Sequence, residues 1–206
     1  MTRSLPAFLV LAAAVALALP GCAPVVVGAA AAGGAAVAVD RRPADVQLAD
    51  ERIEWTAGGR IDDKLKSQGH VNVTSYNRTV LLTGEATTEA LKGEAEKLAT
   101  AVSEVKSVVN DLVIAPPTSM GTRSNDAYLT SMVKTRMVGD QKFNPLHVKV
   151  VTENGVVYLL GLVTRKEADD ATHIARHVSG VKRVVRVFEY IPDPPPAAAK
   201  PADARK

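Results

Sequence analysis

One cysteine, Cys22, occurs in the 206 residues, so the chain can form no intramolecular disulfide and no cysteine-based metal site. Aromatic residues make up only 4% of it, and no stacking platform for nucleic-acid bases stands out beside the basic cluster Lys182, Arg183 and Arg186. Neither sign of charge dominates, the formal net charge being +3. No nucleophile elbow, glycine-rich phosphate loop or zinc spacing occurs. His173 and His177 stand four apart, a spacing that can hold a metal, but without an HExxH glutamate or a third ligand nearby they read as surface histidines. Glu167, Asp169 and Asp170 read as helix surface charges. The expectation is a protein that is no enzyme and has no cofactor, no metal and no nucleic-acid partner.

The amino terminus explains the lone thiol. Arg3 precedes the apolar run LPAFLVLAAAVALALP, followed by Gly21-Cys22. One cation, an apolar stretch shorter than the ~20 residues of a bilayer-spanning helix, and a small residue before the cut form a secretory signal peptide. The other reading is an uncleaved anchor continuing through Cys22–Val39, which Pro24, Gly28, Gly33 and Gly34 make a poor helix. Leu19-Pro20-Gly21-Cys22 resembles the lipobox of bacterial lipoproteins. That resemblance implies cleavage at 21/22, a diacylglycerol thioether on Cys22 and fatty acylation of the new amino terminus. Ala23, in place of Asp, implies passage to the outer membrane.

The remainder is a tandem duplication. His70-Val71-Asn72-Val73 matches His147-Val148-Lys149-Val150, and Asn77, Val80, Leu82 and Gly84 match Asn154, Val157, Leu159 and Gly161, all 77 residues on. Asp50, Ile53, Ala57 and Ile61 match Asp126, Leu129, Val133 and Met137. Leu98-Ala99, Val102 and Val105-Lys106 match Ile174-Ala175, Val178 and Val181-Lys182. Each copy opens with apolar residues four apart, an amphipathic helix, which Ser124, Asn125 or Asp126 can cap in the second copy. Period-2 alternation then predicts a strand, Asn154-Gly155 a tight hairpin, and Val156–Leu160 its second strand. A helix over Lys166–Val178 follows, with Gly180 as its terminator, then a strand over Val181–Tyr190. The first copy differs: Asn77-Arg78 is a weaker turn signal, Gly58-Gly59 interrupts the leading helix, and Glu104 stands where the second copy has Gly180. The fold class is α+β: helix-strand-strand-helix-strand twice, with helices on one face of a mixed three-stranded sheet.

A hairpin ending in glycine, then a helix ending in Ser-Gly-Val-Lys-Arg-Val-Val, resembles the BON domain. SNDAYLTSMVKTRM, HVKVVTENGVVYLLGLVTRKEA and HVSGVKRVV carry the likeness most strongly. Two such copies behind a lipobox resemble the dual-BON lipoproteins of the Gram-negative outer membrane, the DolP type. The organisation expected is a signal peptide over 1–21, a lipidated tether over 22–44, BON domains over 45–116 and 124–191 joined by 117–123, and a disordered Pro/Ala/Lys tail over 192–206.

Charge separates the copies. Residues 45–114 carry 12 acidic and 8 basic side chains, a net of −4, whereas 124–191 carry 7 acidic and 10 basic, a net of +3. Within SNDAYLTSMVKTRM, Leu129, Val133 and Met137 form the core ladder, while Tyr128 and Met132 lie on its flank beside Arg136, with Lys134 across the helix. Apolar groups beside cations suit a helix lying in a membrane interface, and a core edge is the other reading of the same spacing. The resemblance implies that this helix binds anionic phospholipid, with Tyr128 inserting and Leu129, Met132, Lys134 and Arg136 around it. It also implies a lipid-anchored place on the periplasmic side of the outer membrane and a role in envelope integrity, at the division site among other places. The alternative partner is a periplasmic or envelope-assembly protein docking on the Tyr128 face. The two copies are expected to pack or face one another through opposite charge.

Overall fold

The computed structural model describes residues 40–140 and 142–193. The expected signal peptide, Cys22, the expected tether up to residue 39 and the expected tail from residue 194 onward lie outside the described residues. The first copy comprises α1 (Ala44–Leu65), a 3-10 turn (Lys66–Gln68), β1 (Gly69–Tyr76), β2 (Thr79–Ala86), α2 (Glu89–Thr100), β3 (Ser107–Asn110) and β4 (Val113–Ile114). The second comprises α3 (Met120–Asp140), a 3-10 turn (Pro145–His147), β5 (Val148–Glu153), β6 (Val156–Val163), α4 (Arg165–Arg176) and β7 (Arg183–Tyr190). Each copy is the α+β unit expected from the sequence. β1 and β5 pair antiparallel with the central strands β2 and β6, which pair parallel with the strands that follow the second helix. In the first copy the last strand is broken. Asn110 Oδ1 accepts the Leu112 N–H at 3.3 Å, Leu112 turns into the core, and pairing with β2 resumes at Val113.

Several boundaries differ from the sequence reading. The pair Gly58-Gly59 does not interrupt α1, which runs unbroken for 22 residues. Each glycine costs about 1 kcal/mol relative to alanine, but the buried ladder Ile53, Ala57, Ile61 and Leu65 packs on the sheet on both sides of them and offsets that cost. The helix α3 begins at Met120, so residues 120–123 of the expected linker are helical and Ser124, Asn125 and Asp126 lie inside the helix. Ser119 Oγ supplies the amino-terminal bond by accepting the Thr122 N–H at 3.2 Å. α4 is shorter than expected: it starts from a Thr164–Glu167 capping box and its last residue is Arg176. Gly180, at φ +94°, sits in the turn beyond it.

A helical carboxylate fixes each hairpin. Asp126, 5% exposed, accepts the N–H groups of Asn154 and Gly155, both at 2.8 Å. Asp50, 3% exposed, does the same for Asn77 at 2.8 Å and Arg78 at 2.7 Å, and also takes the Ser75 hydroxyl at 2.6 Å. Both turn residues have positive φ in each copy, as a two-residue hairpin of this hand requires. Gly84 and Gly161 answer a different demand. A Cβ on either would collide with the carbonyl oxygen of His70 or His147 on the neighbouring strand.

The two sheets pack on one another, and the joint is more apolar than the charge asymmetry suggests. In β2, Val80 and Leu82 face the helices while Leu81 faces away; in β6, Val157 and Leu159 face the helices while Tyr158 and Leu160 face away. Tyr76, Leu81, Tyr158 and Leu160 form one buried cluster between the sheets, joined by Val109, Val151, Val185 and Val187. Polar contacts rim it: Tyr158 donates to Asp111 at 2.8 Å, Asn72 to Glu153 at 2.6 Å, and Lys149 pairs with Glu54 at 2.6 Å. The order is helices, sheet, sheet, helices.

A clasp ahead of α1 also joins the copies. Arg41 grips Glu167 through two bonds, 2.7 and 2.9 Å, and donates to the Leu162 carbonyl at 2.8 Å. Arg42 bonds Asp40 and Asp50, its guanidinium 4.0 Å from the Tyr76 ring centroid. Partial burial opposes ionisation of Glu167, but the bonds from Arg41 and the Thr164 N–H outweigh it and hold its carboxyl at about 2. A carboxyl depressed on folding contributes stability that is complete above its ordinary value of 4.5 and is lost as pH falls toward 2. Arg41→Ala is therefore expected to lower stability at pH 7 by about 1–2 kcal/mol after allowance for solvent screening. The difference from wild type should shrink at pH 3, which paired thermal melts at the two pH values would measure. An equal loss at both would mean that Arg41 acts by packing alone.

Candidate functional site

The outward face of α3 is the candidate site. Its core ladder, Leu129, Val133 and Met137, is at most 1% exposed and packs on β5 and β6. Leu129 therefore does not stand on the surface with Tyr128. It is wedged under the helix against Gly180 and positions its neighbour. Tyr128 is 60% exposed. Met132, one turn on, is half-buried and packs on the core edge. Arg136 is exposed, but one arm of its guanidinium donates to the His177 carbonyl at 2.6 Å, which ties it to the end of α4. Lys134 is exposed on the other flank.

Two features make this face less polar than its sequence suggests. The hydroxyls of Ser131 and Thr135 turn back onto the helix, bonding the carbonyls of Ala127 at 3.0 Å and Ser131 at 2.9 Å. The only carboxylates on α3 are Asp126, buried under the hairpin, and Asp140, its last residue, paired with Lys142 at 3.2 Å. The outward face thus carries Tyr128, Ala127 and Val138 between Lys134 on one edge and Arg136 on the other, with no exposed acid before the helix ends. Tyr128 and Val138 stand about 15 Å apart along the axis.

Val138 was not singled out from the sequence, nor was Leu146 beyond α3, and both are 61% exposed. They border a groove of about 390 Å³ shared with Lys134, Pro145 and Tyr76. The signal for Val138 was available: it lies on the solvent side of the same helical wheel as Tyr128. Leu146 gives no such signal, because it sits in a turn. The basic cluster near the end of the second copy is largely spoken for. Arg183 pairs with Asp111 at 3.0 Å, Arg186 with Asp169 at 2.8 Å, and Lys182 donates to Asn154 at 3.2 Å. The His173 and His177 rings lie 4.3 Å apart, and among the described residues no group of three or more His, Cys, Asp or Glu is placed to hold a metal.

Comparison with known proteins supplies the family. The BON domain pattern matches twice, at residues 50–116 and 125–192. Over 175 residues, 84% of this chain and 90% of the relative, the chain is 40% identical to the outer membrane lipoprotein DolP of Haemophilus influenzae. It is 34% identical over 155 residues to the 21 kDa hemolysin of Actinobacillus pleuropneumoniae, covering 74% of this chain and 80% of that one. It is 35% identical over 125 residues to the osmotically-inducible protein Y of Escherichia coli, covering 59% and 62%. With one match on each folded half and the likeness to DolP running along most of both chains, this protein belongs to the BON domain family, as a two-domain, DolP-like member.

Proposed function

We propose that the chain is held by lipid on Cys22 to the periplasmic side of the outer membrane, binds anionic phospholipid through the outward face of α3, and supports envelope integrity, the division site included. Its general role is at the membranes of the envelope, and it is not an enzyme, since BON-domain lipoproteins of the DolP type are non-catalytic. The anchor reading rests on Leu19-Pro20-Gly21-Cys22 and on the name of the H. influenzae relative.

The observation that carries the lipid reading is Tyr128, 60% exposed on a helix whose outward face has cations at its edges and no exposed carboxylate before its end. A tyrosine ring has an apolar body and a polar tip and settles at the level of lipid headgroups. Lys134 and Arg136 would meet headgroup phosphates on either side of it, each worth ~1 kcal/mol near an anionic surface. Leu129 supports the site from below. The second reading, a docking face for a periplasmic or envelope-assembly protein, is favoured by one observation: Val138 and Leu146 make an apolar groove beside the same helix.

Vesicle co-sedimentation separates the two. The chain from Ala23 onward, which keeps the Arg41–Arg42 clasp, should pellet with anionic but not zwitterionic vesicles, and less at high salt. Tyr128→Ala should weaken that binding about tenfold or more while leaving the melting temperature unchanged, because an exposed side chain contributes little to stability. Binding that ignores both headgroup charge and salt, or a folded chain that binds neither vesicle, would sink the lipid reading and leave the docking face.

A further inference from the structure

The first copy carries a surface of its own. Trp55, the only tryptophan of the chain, is 86% exposed in the middle of α1, and Leu48, two turns earlier on the same stripe, is 59% exposed. At 100° per residue this stripe lies opposite the buried ladder Ala49, Ile53, Ala57 and Ile61. Among the described residues, no part of the fold covers the stripe. Leu48, Glu51, Arg52 and Trp55 line one open concavity of about 550 Å³. On the same side, Gly58 and Gly59 leave open space where side chains would stand.

The residues are arranged so that the stripe complements itself. Leu48 and Trp55 flank a midpoint between Glu51 and Arg52. Laying a second α1 antiparallel across a two-fold axis at that midpoint brings Trp55 of each chain onto Leu48 of the other. The same operation sets Glu51 beside the other Arg52, and Ala44 and Asp45 over the gap at Gly59 and Gly58. Large meets apolar, acid meets base, and the bulkless positions admit the first turn of the facing helix. Such an isologous contact uses one patch twice, as two-fold dimers do. Arg52 is free to turn to it, since its bond to Glu104 is a long 3.3 Å and its side chain is 69% exposed. An anionic membrane suits this stripe badly, because Asp45, Glu51 and Asp62 lie along it on a module of net charge −4.

We propose that the outward face of α1 is a self-association surface, in which Trp55 of one chain packs on Leu48 of a second copy of the same chain. This is independent of the lipid reading, which concerns α3. One helix pair buries less than the ~1,200 Å² of a stable complex, so the dimer is weak in solution, and confinement of anchored chains to one leaflet would raise its population.

The sole tryptophan makes the test direct. The chain from Ala23 onward should move from monomer to dimer in sedimentation as its concentration rises from about 1 μM to about 1 mM, the affinity range of small interfaces. Its tryptophan emission should shift to the blue over the same range. Trp55→Ala and Gly59→Glu should both sediment as monomers throughout. Gly59→Glu should melt no lower than wild type, because it replaces a helical glycine in open space, so its loss of dimer is not misfolding. Three results would overturn the proposal: a wild-type chain that stays monomeric, a dimer that persists in Trp55→Ala, or a blue shift produced only by adding vesicles. The last would make the stripe a second membrane contact.

Discussion

Asp50→Ala should cost the protein roughly 3–5 kcal/mol, the loss expected when a buried charged hydrogen-bonding centre is removed and its partners stay behind. Its carboxylate takes the N–H groups of Asn77 and Arg78, the Ser75 hydroxyl and a 2.7 Å bond from Arg42. Alanine leaves those turn N–H groups with no acceptor and Arg42 short of one of its two carboxylates. Both turn residues hold left-handed backbone without being glycine, a strained choice that Asp50 must stabilise. Asp126→Ala should cost less, about 2–3 kcal/mol, because that carboxylate serves two N–H groups and its turn contains Gly155. Urea titration of both variants, with the exposed Asp63→Ala as control, measures the order. Equal losses, or a loss at Asp63 as large as at Asp50, would show that the network around Asp50 is not what holds the hairpin.

The duplication made much of the fold legible. A repeat 77 residues on aligns the two hairpin strands of one copy with their counterparts, a one-residue shift aligns the last strand, and Asn154-Gly155 fixes a hairpin whose register then follows. The ladder Leu129, Val133 and Met137 placed α3 and left Tyr128 outside it, where it stands. Asp126 was harder to read. Ser-Asn-Asp ahead of an apolar run is a good helix-start signal, yet the helix begins six residues earlier and the carboxylate serves a turn 28 residues away. Only a tertiary contact assigns that role, although Asp50 in the matching place hinted that the residue is not a local cap. The joint between the sheets left a trace: Val-Val-Tyr-Leu-Leu and Thr-Val-Leu-Leu-Thr lack polar alternation, which is how strands buried on both faces read. Trp55 left one too, since its angle on the α1 wheel points away from Ile53 and Ala57. Arg41 left none, because a side chain ahead of a helix gives no sign that it will grip a residue 126 positions on.

Leu160→Ala is the second large effect, expected at about 2–5 kcal/mol for a fully buried leucine cut back to alanine. What distinguishes it from an ordinary core deletion is where the cavity falls. Leu160 lies between the sheets with Leu81, Tyr76 and Tyr158, so the loss is shared by both modules and weakens their joint. Wild type should unfold in one transition, because neither module can expose that apolar sheet face to water without cost. In Leu160→Ala the transition should broaden or divide, the acidic and basic modules melting separately. Adding Leu81→Ala should cost less than the sum of the two singles, because both side chains line one cavity. Vesicle binding by Leu160→Ala at low temperature should match wild type, since the Tyr128 face is built on α3 and the opposite side of its sheet. A divided melt with intact binding would mean that the joint holds the second module upright on the first without shaping its site. A single unbroken melt, merely shifted down, would mean that the Arg41 clasp and the polar rim suffice to keep the two modules one cooperative body.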